Sequence, residues 1–233
     1  MDLHYGWTGK LEIGDRWAIW RGAVGDSQPH RHYAAQAVLS TEAATVAFAD
    51  GELGSGTCLL IAPLLPHRLL PHAQAAILFV EPGAAVVTGL DPAWLAQIRI
   101  AIARSATPPS PFWQHWVMQA EQPAAPQPDW VEQARKLIDQ ALGEGNVSLP
   151  AIARHFPWSP ERFRHRLALA LGTPFRRFVL WRRLRLAATL LAQGCDATQA
   201  AHGAGFADAA HFARTLKRQF GVTASQALLQ PPR

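Results

Sequence analysis

The chain is poor in the residues that staple or anchor a fold. Its two cysteines, Cys58 and Cys195, lie far apart and form no metal or redox spacing. A disulfide scaffold is therefore excluded, and a reducing cytoplasm is the expected compartment. No apolar run approaches the roughly 18 residues that would cross a bilayer. The start, Met1-Asp-Leu-His-Tyr-Gly-Trp7, has no basic stretch leading into an apolar one, so no secretion signal is expected. Catalytic constellations are missing as well: no Ser/His/Asp set, phosphate-cradling glycine loop or pair of carboxylates stands out. Charged residues are only 17% of the chain, whereas hydrophobic residues are 49%. That is enough apolar material for buried cores, and it excludes a wholly disordered protein. The length of 233 residues fits one large domain or two small ones.

What charge there is lies unevenly. Residues 1–128 hold 7 Lys and Arg against 10 Asp and Glu, whereas residues 129–233 hold 15 against 7. A basic half beside a mildly acidic half points to a polyanionic partner for one part only. On charge alone, that partner is nucleic acid, an anionic surface or an acidic protein, or else the bases are a solvated helical surface.

Residues 1–90 read as short strands. Trp17–Trp20, Ala35–Leu39, Ala44–Phe48, Cys58–Ile61 and Ala76–Val80 are apolar or alternating runs, separated by turn signals such as Asp50-Gly51, Pro63, Pro66 and Pro82-Gly83. Such spacing argues for a β-sandwich or barrel. The period changes over residues 92–105, where Pro92 opens a helix and Leu95, Ile98 and Ile102 form an apolar stripe. This stripe either pairs two protomers or caps the strands. Thr107-Pro-Pro-Ser-Pro111 stops it, and Phe112, Trp113 and Trp116 follow. Gln122-Pro-Ala-Ala-Pro-Gln-Pro128 reads as a stiff linker. The expected domains are thus 1–90, then a helix and linker over 91–128, then an all-helical domain over 129–233.

In the helical part, Val131, Ala134, Leu137, Ile138, Ala141 and Leu142 mark one amphipathic face. Ser148-Leu-Pro150, Ser159-Pro160 and Thr173-Pro174 each pair a capping residue with a proline, which suits a helix start. Gly143, Gly172, Gly194 and Gly221 stand where helices should stop. Residues 148–167 and 197–216 share one layout. Each has a short helix with a central alanine (Ala153, Ala201), a tight turn, and a second helix opened by Ser159 or Asp208. Phe163 or Phe212 follows four residues on, then Leu167 or Leu216. Phe and Leu at i, i+4 bury one face and leave the other polar, which is the plan of a helix-turn-helix whose second helix enters the major groove.

Two motifs carry a family resemblance. One is Arg183-Leu184-x-x-Ala187-x-x-Leu190-Leu191. The other is Ala201-x-x-Ala204-Gly205-Phe206-x-Asp208-x-x-x-Phe212-x-Arg214-x-x-Lys217-x-x-Phe220-Gly221-Val222. Residues 130–230 resemble the DNA-binding domain of the AraC/XylS transcriptional regulators, which has two helix-turn-helix units joined by a long helix. The resemblance implies that both recognition helices lie in successive major-groove segments, roughly 34 Å apart. It places Glu161, Arg162, Arg164, His165, Ala209, Ala210, Arg214 and Lys217 at the DNA. Arg164 and Arg214 suit bidentate contact with guanine. Arg162, Arg176, Arg177, Arg182, Lys217 and Arg218 are phosphate contacts or solvated charges. The chain departs from the family pattern in several places. Ala224 stands where proline is usual, Ala200 replaces a larger aliphatic residue, and His165 carries a pH-dependent charge where Arg is common. Ala209 and Ala210 offer at most contact to thymine methyls.

The front half resembles the cupin-like sensor domain of such regulators. Its carriers are Pro29-His30-Arg31-His32, then Gln36, and later Gly56-x6-Pro63-x-x-Pro66-His67. His30 and His32, two apart on an extended strand, share a face. The resemblance implies that His30, His32 and His67 converge either on a divalent transition metal, for which imidazole is suited, or on a metal-free polar pocket. Gln36 stands where cupin enzymes have Glu. Trp17, Trp20, His30, His32, Gln36 and His67 are the expected effector pocket, with Val38, Leu39, Leu60 and Phe79 as further apolar lining.

The favoured function is a sequence-specific transcriptional regulator, not an enzyme, controlled by a small-molecule effector or a metal. Double-stranded DNA is its expected partner, with RNA polymerase for an activator, a second protomer through the 95–102 stripe, and no membrane. Competing readings are a cupin-type metalloenzyme carrying a DNA-binding domain, and an architectural DNA-binding protein.

Overall fold

The computed structural model describes residues 6–14, 16–81, 92–104, 112–114, 116, 128–145 and 147–223. The start at Met1–Tyr5, the Pro82-Gly83 turn, the 107–111 stop, the linker before Pro128 and Ala224 lie outside the described residues. The chain divides into two compact units, Met1–Pro123 with Ala213–Arg233, and Ala124–Phe212. One cut falls within the proline-rich segment. The other falls between Phe212 and Ala213, so the range 129–233, expected as one domain, is divided inside its last helix.

Six strands of the first unit make one antiparallel sheet: β1 (Thr8–Ile13), β2 (Trp17–Val24), β3 (Ala35–Phe48), β4 (Leu53–Ile61), β5 (His67–Leu69) and β6 (His72–Val80). Their order is β1-β2-β6-β3-β4, with β5 on β3. The runs 35–39 and 44–48 are one strand, not two, because a register shift between Leu39 and Ala44 carries β3 through a bulge. Its first half pairs with β6 and its second with β5. A bulge of this kind bends the strand without ending it.

Period two sorts the sheet's side chains into two cores. Trp17, Ile19, Ala35, Ala37, Leu39, Leu78 and Val80 face one side, where α1 (Pro92–Arg104) lays Trp94 and Ile98 on them beside Trp113 and Trp116. Trp113 also donates its indole N–H to the Ile61 carbonyl at 3.2 Å. Leu95 and Ile102 pack against the same cluster, so the α1 stripe caps this face of the sheet. The opposite face carries Trp20, Val24, Val38, Val46, Ile61 and Ile77.

The second unit is helical: α2 (Asp129–Gly143), α3 (Leu149–Ala153), α4 (Pro160–Leu171), α5 (Phe175–Ala192) and α6 (Ala197–Gly203). The helix α7 (Ala209–Phe220) begins in this unit and ends in the first. Ser148 and Ser159 cap α3 and α4 by accepting from the amides of Ala151 and Arg162. Gly172 ends α4 in the left-handed region at φ 63°. Thr173 does not cap α5: Pro174 takes the cap position, and the buried Thr173 hydroxyl has no partner among the described residues. Val131, Ala134, Ile138, Ile152, Phe163, Leu167, Phe178 and their neighbours form one core.

Arg182 on α5 is buried, not presented to solvent or phosphate as expected. It forks onto Asp139 of α2, with Nε 2.8 Å from Oδ1 and Nη2 on Oδ2. Removing one partner of a buried pair strands the other charge, at about 3–5 kcal/mol. The Asp139 side chain is 41% exposed, so water relieves part of that cost. Asp139→Ala is expected to cost about 1.5–3 kcal/mol, the range for a hydrogen bond to a charged group, read as a lowered urea midpoint. A midpoint unchanged from the parent would show that the fork does not hold α5 to α2.

Candidate functional site

The two repeated segments build two like surfaces. In α4, Phe163, Leu167 and Leu171 are buried, which turns Glu161, Arg162, Arg164 and His165 to solvent. Glu161 lies in the first turn, where a carboxylate also favours the helix N-terminus. The following Arg166, not singled out from the sequence, lies 4.4 Å over the Trp158 ring and 5.9 Å over Trp130. This cation–π contact with two rings fixes the arginine on one flank of α4.

In α7, Asp208 caps the start by accepting from the His211 amide at 2.6 Å. Phe212 is buried and packs on Phe206, with centroids 5.3 Å apart. Ala210, Arg214, Lys217 and Arg218 are exposed and Ala209 is half-buried. The preceding helix α6 is set by a reciprocal cap between Asp196 and Gln199. The sequence carried that signal as Asp-x-x-Gln, a variant of the capping box. Every residue expected at the DNA except Ala209 is therefore exposed, and the Phe and Leu of each repeat face inward.

The expected sensor residues fall into two groups. Trp20, Gln36, Val38 and Phe79 project from one face of the sheet, whereas Trp17, Leu39 and Leu60 belong to the opposite core. Trp17 and Trp20 are three apart on β2, and an odd spacing on a strand separates their faces. Trp17 therefore lies in a different core from Trp20 and does not share a site with it. A cavity of about 430 Å³ lies elsewhere in this unit, lined by Ser40, Ser55, Thr57, Cys58, Gln97 and Ile100 among others, and by none of the six expected pocket residues.

His30, His32 and His67 do converge. His30 and His67 exchange backbone hydrogen bonds, each 2.9 Å, which sets their side chains side by side. His32 follows outside any strand. The His30 and His67 rings are 4.4 Å apart and His32 is 5.6 and 5.3 Å from them. One ring nitrogen of each lies within 4.8 Å of the others. Burial, with the neighbouring rings, pushes His30 down to about 3 and His67 down to about 4, and burial also lowers His32. Burial thus favours the neutral form of each ring. The fully buried Gln36 places Oε1 2.8 Å from His32 Nε2 and 3.1 Å from His67 Nε2.

The helix pairs α3–α4 and α6–α7 thus form two helix-turn-helix units on either side of the long α5, each with exposed basic residues. Residues 152–230 match a family model described as a helix-turn-helix domain. The transcriptional activator RhrA of Rhizobium meliloti is 36% identical over 94 residues, which cover 38% of this chain and 29% of that protein. The match thus spans under a third of that relative. ToxT from Vibrio cholerae superposes with a TM-score of 0.55 at 11% identity, covering 92% of this chain and 98% of ToxT. Unsaturated-fatty-acid-bound ToxT gives 0.51 at 11% identity, with 93% and 96% covered. At this identity the likeness is one of fold.

Proposed function

We propose that the chain is a sequence-specific, cytoplasmic transcriptional regulator that binds double-stranded DNA and takes a small effector in its strand-rich unit. The observation that carries this reading is the repeat itself: α4 and α7 each bury Phe and Leu at the same spacing and expose basic side chains on the outer face, Arg164 and His165 on α4 and Arg214, the counterpart of His165, on α7. Arg reads guanine O6 and N7 bidentately, so Arg164 and Arg214 supply base recognition. Arg162, Arg176, Arg177, Lys217 and Arg218, all exposed, supply phosphate contacts. The second unit reads few bases, because Ala209 and Ala210 have no hydrogen-bonding side chain.

The effector site is supported by the cavity beside β4 and α1. Its volume is within the range of small-molecule sites, and Ser40, Ser55, Thr57 and Gln97 give it polar groups beside apolar Ile100. ToxT, of like fold, has been solved with an unsaturated fatty acid, and a small organic effector is the corresponding reading here.

Selection of bound sites from random duplexes tests the regulator. Enrichment of a two-part site is expected, and enrichment of none would leave only an architectural role. On the selected site, Arg214→Ala should cost about 1–3 kcal/mol and relax one base position. Equal loss on scrambled DNA at the same salt would make Arg214 a phosphate contact. Affinity for any duplex should fall with added salt, because phosphate contacts release counterions.

A further inference from the structure

The three histidines have more built around them than a filled core needs. Each ring uses Nδ1 against a backbone carbonyl: His30 with Gln28 at 2.9 Å, His32 with Ala34 at 2.8 Å, and His67 with Leu65 at 2.8 Å. A carbonyl only accepts, so each neutral ring carries its proton on Nδ1 and leaves Nε2 as a bare lone pair. Metal-ligating histidines are oriented in this way, by donating the other ring N–H to a carbonyl.

Gln36 adds an independent observation. Its Oε1 faces two of those lone pairs, while its buried Nε2 has no partner among the described residues. Turning the amide over serves the two rings but puts the oxygen where the nitrogen lacked a partner. With Oε1 toward the rings, acceptor faces acceptor, and a cation among the four donors satisfies the oxygen and the ring lone pairs together.

The end of α7 closes on this cluster within the same unit. The Phe220 ring lies 5.6 Å from His32, inclined by 31°, and 5.5 Å from Phe79. Gln28, whose carbonyl holds His30 Nδ1, donates its own N–H to the Gly221 carbonyl at 2.9 Å. A continuous path thus runs from the His30 ring through Gln28 to the last residues of the helix that carries Arg214.

We propose that His30, His32 and His67, with Gln36 as an oxygen donor, hold a divalent first-row transition metal, and that the bound metal fixes the end of α7 and so couples metal loading to DNA affinity. Neutral imidazoles suit Zn, Cu, Ni or Fe; Ca and Mg require oxygen sets. The metal site stands on its own geometry, and its effect on DNA rests on the regulator reading above.

The test uses the full chain without a histidine tag, stripped by a chelator and titrated with Zn²⁺ and with Co²⁺. About one equivalent should bind, with visible Co²⁺ bands, and His32→Ala or His67→Ala should weaken binding by more than about 100-fold while far-UV circular dichroism stays that of the parent. Metal should slow amide exchange over residues 213–221, and Phe220→Ala should remove that protection while the Co²⁺ bands persist. Duplex affinity should change by at least about fivefold between stripped and loaded protein. Binding of less than about a tenth of an equivalent overturns the site. Binding with unchanged exchange or unchanged duplex affinity overturns the coupling. A metal that binds and protects 213–221 in a chain that selects no DNA sequence leaves the site standing and removes the regulator.

Discussion

Phe163→Ala should unfold the first helix-turn-helix and take sequence-specific DNA binding with it. Phe163 is wholly buried, stacks on Phe156 with centroids 4.8 Å apart at 20°, and meets the Trp130 ring edge-on at 6.4 Å. Truncating such a ring removes its transfer free energy and leaves a cavity, a loss of about 3–5 kcal/mol. That is a large part of the roughly 5–15 kcal/mol that holds a domain together. The consequence for function follows from helical geometry. Burial of Phe163 and Leu167 is what turns Arg164 outward, so a loosened core also loosens the reading face. Urea unfolding should show the drop, and operator binding should fall with it. Leu169→Ala is the control on the same helix: Leu169 is 72% exposed, and the change should stay within about 0.5 kcal/mol. A Phe163→Ala cost below about 1 kcal/mol would mean that the aromatic cluster is not the core of this unit.

What could be read from the residues was whatever rests on local rules. The 3.6 period of α2, the serine–proline starts of α3 and α4, and the repeated Phe and Leu spacing depend only on neighbours a turn or so apart. The structure has each of them where those rules put it. Pairings across the chain were another matter. Arg182 looked like one more surface base because its partner, Asp139, lies 43 residues away. The strand β1 escaped notice because it is an edge strand with no buried residue, so it lacks the apolar contrast that marks strands. The two-core division of the sheet is legible in the odd spacing of Trp17 and Trp20, which puts the two rings on opposite faces. The histidine cluster lay between. Strand periodicity predicts that His30 and His32 share a face, yet His32 lies outside any strand, and the reciprocal backbone pairing of His30 with His67 is what brings in the third ring.

The tightest packing at the end of α7 gives a second large effect, in Gly221→Ala. Gly221 has φ 69°, a left-handed conformation that costs an L-residue roughly 1–2 kcal/mol. A Cβ there would stand 2.3 Å from the Gln28 carbonyl oxygen and 2.7 Å from His30 Nδ1. The oxygen is backbone and cannot swing aside. Relief requires the helix end to move off, which gives up the hydrogen bond from Gln28, a further 0.5–1.5 kcal/mol or about that. Gly172 separates strain from clash. Its φ is 63°, yet a Cβ there meets nothing within 4 Å. Gly172→Ala should therefore cost the left-handed strain alone, and Gly221→Ala should exceed it by at least about 1 kcal/mol in urea unfolding, beyond the uncertainty of additivity between distant sites. Amide exchange at Gln28 should rise in Gly221→Ala and stay unchanged in Gly172→Ala. Equal costs for the two substitutions, with Gln28 equally protected in both, would mean that the end of α7 does not rest on the histidine-bearing segment, and the path from those rings to Arg214 would be gone.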